Sequence, residues 1–319
     1  MAAIEEIKDR VDTVAFCEKR WKVSFRQAGK GRMKACCPMH GEKTPSFVVY
    51  PDGGWFCFGA CNRGGDVISL VELIDGMSFE EALAEVASAA GLDLTPVSEK
   101  DRAAMRTAHA RMDTLEVITT LLHERLLLTD KARAYCTWRG WTDETVKTCR
   151  LGYVDGSLRK ALGTMNVDLG QPVVKAALQI KLGMLVYPHI ERGRVVYLSG
   201  RMASDKEKGH YNPPADLMGP RRVFWNRVRG DEVVLVEGQA DAITLGQWEI
   251  PAMAWCGVGA AGASAAGVYY RLRRFKVRYI WPDDDGKTDL DGAASVLGPM
   301  TRIIDPDAFS DAISSASPG

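Results

Sequence analysis

Cys37-Pro-Met-His40 and Cys57-Phe-Gly-Ala-Cys61 set two pairs of metal-binding side chains sixteen residues apart, and nothing else in the sequence narrows its local fold as much. Each pair fits a tight knuckle at one end of a hairpin. Four soft or borderline donors with no spare position suit tetrahedral, structural zinc. Cys36 competes with Cys37, but Pro38 and the two-residue gap to His40 favour Cys37. The second pair has three intervening residues where two are commoner. The bland alternative is a set of buried thiols and one imidazole without metal; the paired spacing speaks against it. Strands are expected over residues 46–50 and 54–58, joined by the turn Pro51-Asp52-Gly53. So small a hairpin offers little apolar surface, and the metal should supply much of its folding free energy.

The remaining composition bounds the setting. A chain of 319 residues, 46% hydrophobic, has room for two or three domains with real cores. Eight cysteines, four of them between Cys36 and Cys61, suit metal ligation in a reducing compartment better than a disulfide framework. Cys17, Cys136, Cys149 and Cys256 then read as buried thiols. Residues 1–10 lack the pattern of a signal peptide, and no apolar run approaches the roughly 20 residues of a membrane span. A cytoplasmic location without a membrane partner is expected. Lysine plus arginine and aspartate plus glutamate number 41 each, so any surface for a polyanion must be a local patch.

Helical periodicity over residues 5–20 brings Ile4, Ile7, Val11, Val14 and Ala15 near one face. Asp66 can cap a helix running to Asp75. Ser78 with Glu81 forms a capping box for a helix burying Phe79, Leu83, Val86 and Ala90 and stopped by Gly91. Periodicity fails from Leu94 to Ser98, and a linker is expected over residues 95–110. A helix over 115–128 and strands over 184–187 and 195–198 follow. In the final third, strands at 233–236, 253–255, 277–281 and 302–304 alternate with helical segments at 239–248, 263–275 and 291–300. That rhythm predicts a parallel sheet covered by helices. The expected fold class is α+β and α/β, multidomain: an N-terminal zinc ribbon with an antiparallel hairpin (1–94), a mixed, basic α/β subdomain (111–230), and a Rossmann-like, parallel-sheet subdomain (231–319).

The strand at 233–236 runs into Glu237-Gly238, with Asp241 on the first turn of the next helix. Carboxylates at the carboxyl end of parallel strands sit where open α/β sheets bind ligands. The strand at 277–281 runs into Pro282-Asp283-Asp284-Asp285, and three consecutive carboxylates call for a cation. Oxygen donors on strand ends suit Mg²⁺ or Mn²⁺. Asp284 and Asp289 read as solvated loop acids. Between Arg192 and Arg229, nine lysines and arginines (Arg192, Arg194, Arg201, Lys206, Lys208, Arg221, Arg222, Arg227, Arg229) face three acids, a candidate phosphate-binding patch. Tyr211, Phe224 and Trp225 offer stacking faces or core.

Cys37-Pro-Met-His40-Gly-Glu-Lys-Thr-Pro-Ser-Phe47, Trp55-Phe-Cys57-Phe-Gly, Gly65-Asp66 and Ser78-Phe-Glu-Glu-Ala82 resemble, in order and spacing, the zinc-ribbon domain of bacterial-type (DnaG-like) DNA primases. Glu237-Gly238-x-x-Asp241 followed by Asp283-x-Asp285 resembles the Toprim domain of the same family. Ala134-Tyr135 through Arg139-Gly140 to Tyr153, Arg192 through Arg201, and Tyr211-Asn212-Pro-Pro resemble its polymerase core. The extra Ala60 in the second knuckle and an insertion over Gly286–Asp291 are departures.

The resemblance implies a nucleotidyltransferase that makes short RNA primers from NTPs on a single-stranded DNA template for replication. It assigns Glu237, Asp283 and Asp285 to Mg²⁺ or Mn²⁺, with Asp241 in support. The last acid of the site is left open among Asp305, Asp307 and Asp311, with Asp307 taken as a magnesium ligand. Arg201, Asn212, Arg221, Arg222, Lys206 and Lys208 become nucleic-acid or nucleotide contacts. No GxxxxGK[ST] phosphate loop is found, so a separate replicative helicase is the expected partner. The rivals are a Toprim nuclease and a non-catalytic, primase-derived DNA- or replisome-binding protein.

Overall fold

The computed structural model describes residues 2–29, 31–92, 98–204, 209–219, 223–228, 230–256, 272, 275–281 and 300–304. It separates into two compact units. The first comprises Met1–Arg139 and Val146–Pro220; the second comprises Gly140–Thr145 and Arg221–Gly319.

The first unit opens with α1 (Ala2–Arg10) and α2 (Thr13–Trp21), two helices where the periodicity predicts one. The Asp12 carboxylate accepts from the Val14 and Ala15 amides at 2.9 and 3.1 Å, so it caps α2 and interrupts the run. Five short strands follow: β1 (Arg26–Gln27), β2 (Met33–Ala35), β3 (Phe47–Val49), β4 (Trp55–Cys57) and β5 (Arg63–Gly65). They form an antiparallel sheet in chain order, with the expected hairpin at its centre. Alternation along β3 and β4 sends Phe47, Val49 and Trp55 to one face, against Cys17 and Leu70, and Val48, Tyr50 and Phe56 to the other.

Helix α3 (Val67–Asp75) is capped by Asp66, whose carboxylate accepts from the Ser69 amide at 2.9 Å. Helix α4 (Phe79–Ala89) carries the expected capping box between Ser78 and Glu81. Ile7 of α1 closes a core with Val67, Ile68, Val71, Leu83 and Val86.

The linker expected over 95–110 is largely helix. α5 (Glu99–Leu128) begins there and runs 30 residues. Arg106 pairs with Glu99 at 2.6 Å and Glu80 at 2.9 Å while Met105 is buried, so the polar stretch is the solvent face of a packed helix. Further along lie α6 (Asp130–Trp138), α7 (Asp143–Thr148), β6 (Gly152–Tyr153), α8 (Leu158–Thr164), α9 (Pro172–Ala177), β7 (Met184–Glu191), β8 (Arg194–Met202), β9 (His210–Tyr211) and α10 (Ala215–Met218). Strands β6 to β9 form an antiparallel sheet in chain order. Leu115, Ile118 and Leu122 of α5 pack on it with Leu162, Val174, Val186 and Leu198.

Within this unit the zinc ribbon is held against the β7–β8 hairpin and α5. Gly54 and Gly193 meet backbone to backbone: a Cβ on Gly54 would lie 1.9 Å from the Gly193 nitrogen. The Arg192 amide donates to Asp52 at 2.9 Å, and its guanidinium pairs with Asp9. Lys8 pairs with buried Asp66 at 2.7 Å, and Arg194 with Asp113. Arg150 lies 4.5 Å from the Phe56 ring centre and Lys147 5.1 Å from that of Phe58, so cations cover the outer aromatic face of the ribbon. Arg192 thus serves the ribbon and Arg194 an internal ion pair with α5, and the basic tract is smaller than its count suggests.

The second unit contains β10 (Phe224–Trp225), β11 (Glu232–Val236), α11 (Gln239–Gln247), β12 (Ala252–Ala254), β13 (Val277–Ile280) and β14 (Thr301–Ile303). The sheet order is β10-β12-β11-β13-β14; all neighbours run parallel except β10 with β12. Phe224 and Trp225 are buried in β10, which assigns them to core and removes them as stacking faces. All but the last residue of the helical segment expected at 291–300 and most of that at 263–275 lie outside the described residues. No helix among the described residues is long and apolar enough to cross a membrane.

Candidate functional site

Cys37, His40, Cys57 and Cys61 converge, with one donor atom from each lying within 4.8 Å of every other. Zinc held about 2.3 Å from sulfur needs tetrahedral edges of roughly 3.7 Å. Cys37 Sγ and Cys61 Sγ are 3.7 Å apart, and His40 Nδ1 lies 3.1 Å from Cys61 Sγ and 3.9 Å from Cys57 Sγ. The donors are already gathered at that spacing, and the residues fit a structural zinc ion.

The extra residue in the second knuckle is absorbed locally. Ala60 points to solvent, and the Asn62 amide closes a turn onto the Gly59 carbonyl at 3.1 Å. A Cβ on Gly59 would lie 2.5 Å from Ser46 Oγ and 2.9 Å from His40 Nε2, so only glycine lets the knuckle close over the histidine.

Glu42 organises the site from behind, and the ligand spacing gave no sign of it. Its carboxylate lies 3.1 Å from His40 Nε2, and it accepts from the Cys37 amide at 2.7 Å, the Ser46 amide at 3.0 Å and Ser46 Oγ at 2.7 Å. A carboxylate on Nε2 leaves Nδ1 as the atom facing the sulfurs. Burial works to raise the Glu42 pKa, but these hydrogen bonds prevail and hold it below the usual range. Among the thiols, a hydrogen bond from Cys37 draws Cys57 down to about 5, and the same bond pushes Cys37 up.

Glu237 follows β11 at the carboxyl edge of the second unit's sheet, half-buried, between β12 and β13. Gly238 begins α11, and a Cβ there would lie 2.6 Å from Asp241 Oδ2. The glycine therefore makes the hollow into which the Asp241 carboxylate folds. Main-chain bonds from Trp255 to Val236 (3.1 Å), from Cys256 to Glu237 (3.0 Å) and from Trp281 to Leu235 (2.9 Å) fix this edge. Asp283, Asp285 and Asp307 lie outside the described residues, as do Lys206, Lys208, Arg221 and Arg222. Arg201 of β8 stands opposite His210 of β9, and Asn212 follows that strand. Asn212 Oδ1 is buried and accepts no hydrogen bond among the described residues.

Comparison with known proteins agrees with this order of parts. Residues 1–102 match the family model described as the CHC2 zinc finger. The DNA primase of Deinococcus radiodurans is 32% identical over 311 residues, covering 88% of this chain and 52% of the relative. That of Geobacillus stearothermophilus is 30% identical over 275 residues, covering 76% of this chain and 45% of the relative. This chain belongs with the bacterial, DnaG-type DNA primases. It spans about half the length of the curated relatives it matches. The zinc-binding and RNA polymerase domains of the Aquifex aeolicus primase share the fold, with a TM-score of 0.56 at 24% identity, covering 97% of this chain and 82% of that one. The N-terminal ribbon is accordingly a structural zinc domain of the DnaG type.

Proposed function

We propose that the chain is a DNA primase, a DNA-dependent RNA polymerase that joins NTPs into short primers on single-stranded DNA. The observation carrying this reading is the order of parts in one chain: a zinc ribbon of the primase type, then a parallel sheet whose central strand ends in Glu237-Gly238 with Asp241 folded over the glycine. Glu237, Asp283 and Asp285 would hold Mg²⁺ or Mn²⁺, with Asp241 in support and Asp307 as a further ligand. The Asp241 carboxylate folded over Gly238, next to Glu237 in the chain, and the all-oxygen donor set suit such an ion. Bound there, the metal would lower the cost of negative charge on the attacking 3′-hydroxyl and the departing pyrophosphate.

The chain's own groups do the rest. The rigid edge of β11 keeps the Glu237 backbone in place. Arg201, with Lys206, Lys208, Arg221 and Arg222, would neutralise phosphates of the triphosphate and template. The unmatched Asn212 oxygen would accept from a nucleotide donor, a bond that its burial makes costly to leave unmade. A separate helicase would supply unwound template.

The test supplies single-stranded DNA, NTPs and Mg²⁺ to wild type, Glu237→Gln and Asp283→Ala. Oligoribonucleotides from wild type and none from either variant are expected. No product from wild type overturns the reading. Mn²⁺ titration of the folded protein then distinguishes a dead, DNA-binding relative, which would bind no ion in an Asp283-dependent way.

A further inference from the structure

Helix α11 carries Asp241 in its first turn, yet that end of the helix has no cap of its own. Gly238 stands at the N-cap, and no side-chain hydrogen bond closes the turn. Packing holds the helix weakly as well: of the residues it buries, Ala240, Ala242 and Gly246 are small, and only Ile243 and Leu245 carry sizeable apolar side chains. The far end is tied down. Trp141 Nε1 donates to Thr244 Oγ1 at 3.0 Å, the Thr142 amide to Gln247 Oε1 at 2.8 Å, and Gln247 Nε2 to the Gly140 carbonyl at 2.9 Å. The near end is set by Asn226.

Asn226 follows β10, and its side-chain amide is fully matched. Nδ2 donates to the Ala242 carbonyl at 3.0 Å and the Ile250 carbonyl at 2.8 Å, while Oδ1 accepts from the Val228 amide at 3.2 Å and the Ala252 amide at 3.1 Å. With both hydrogens and both lone pairs in use, only one orientation serves: turned over, the amide would set its oxygen against two carbonyls and its NH₂ against two N–H groups. One side of Asn226 therefore grips the sheet at the start of β12, and the other grips α11 at the residue directly after Asp241. Gly246 makes room for it. A Cβ there would lie 2.9 Å from Asn226 Cβ and 3.0 Å from Nδ2. Glycine weakens a helix interior relative to alanine, so α11 carries a weak residue where Asn226 comes against it.

We infer that Asn226 is a positioning residue for the divalent metal at the acidic edge: through the Ala242 carbonyl it fixes where α11 begins, and so where Asp241 stands relative to Glu237 at the end of β11. This rests on the reading that Glu237 and Asp241 serve a catalytic ion. Asn226 holds the element that carries the supporting carboxylate, and losing an orienting partner outside the ligands costs about tenfold or more in metal affinity.

Two substitutions approach the contact from opposite sides. Asn226→Asp keeps the size of the side chain and the oxygen facing Val228 and Ala252, but sets a second oxygen against the Ala242 and Ile250 carbonyls. Gly246→Ala leaves Asn226 in place and crowds it, although alanine is the better helix former. Mn²⁺ titration of the full folded chain without NTPs, read by electron paramagnetic resonance, should show affinity falling about tenfold in both variants, with Glu237→Gln defining the site. In primer synthesis the Mg²⁺ concentration for half-maximal rate should rise by a similar factor, and excess Mg²⁺ should recover most of the rate. The KM for single-stranded DNA should stay where it is.

A merely structural role gives a different pattern, with less folded protein at a given temperature and a surviving fraction that binds metal like wild type. Unchanged Mn²⁺ affinity and an unchanged Mg²⁺ half-point in the folded variants overturn the inference. Where Asn226→Asp does not fold, Gly246→Ala decides by the same measurements. A wild type that binds no Mn²⁺ in a Glu237-dependent way and makes no primer sinks the polymerase reading and this inference with it. A wild type that does both, matched by the variants, sinks the role of Asn226 alone.

Discussion

At the scale of single residues, the most consequential side chain away from the metal sites is Asp66. It caps α3, pairs with Lys8 at 2.7 Å, and is fully enclosed. Burial alone would raise its pKa, but the positive charges of Lys8 and Arg194 and the Ser69 amide outweigh it and hold the carboxyl well below the usual range. A folded-state pKa below the unfolded value near 3.9 contributes stability that is fully present above that value. It is lost as pH falls through the folded one. Asp66→Asn strands Lys8 in the interior and leaves Arg194 to Asp113, and breaking a buried pair costs about 3–5 kcal/mol. Urea unfolding of both proteins should give a gap of that size, flat from pH 8 to pH 5. A gap that changes across that window would show that another group governs the site.

At the scale of elements, the seam between the ribbon and the β7–β8 hairpin depends on two glycines. The Gly54 contact is with backbone, which cannot rotate away as a side chain could. Gly54→Ala should therefore push the ribbon off the hairpin, at about 1–3 kcal/mol for an overpacked contact. It should also raise hydrogen exchange at Arg192 and Gly193 and expose the Phe56 face, while zinc content stays at one per chain. Unaltered exchange there would refute the seam.

None of this was legible in the sequence, because nothing local to Gly54 says that residue 193 will arrive there. What was legible was local: the ligand pairs, the Ser78 capping box, and the strands whose alternation or apolar runs repeat within a few residues. Asp12 has the side chain of a helix cap, but continuous apolar spacing through Val11 and Val14 concealed the break there. The charged stretch beginning at Glu99-Lys100 resembled a linker because exposed helical residues and a linker share a composition. Counting cations between Arg192 and Arg229 could not show that Arg192 and Arg194 were already committed to Asp9 and Asp113. Glu42 was missed for a related reason: ligand spacing identifies the donors and says nothing of the group that orients them.

At the scale of the whole molecule, the two units keep separate cores, and the zinc donors lie in the first. The ribbon's inner core is small, and two of its buried members, Cys37 and Cys57, are metal ligands. Removing zinc therefore takes away both a cross-link and part of the packing. Val233, Leu235, Met253, Phe275 and Ile280 belong to the second unit's core, which includes none of the zinc donors. Chelation should thus unfold the molecule in part, outside two-state behaviour. After treatment with a strong zinc chelator, amide protection should vanish over Phe47–Val49 and Trp55–Cys57 and persist over Glu232–Val236 and Ala252–Ala254. Because Lys8, Asp66 and Arg194 tie the ribbon to α5, protection near Asp113 should weaken as well. Restoring zinc should bring all three regions back together. Loss of protection across β11 and β12 on chelation would mean that the acidic edge at Glu237 depends on the ribbon for its fold, and the independence of the two cores would fail.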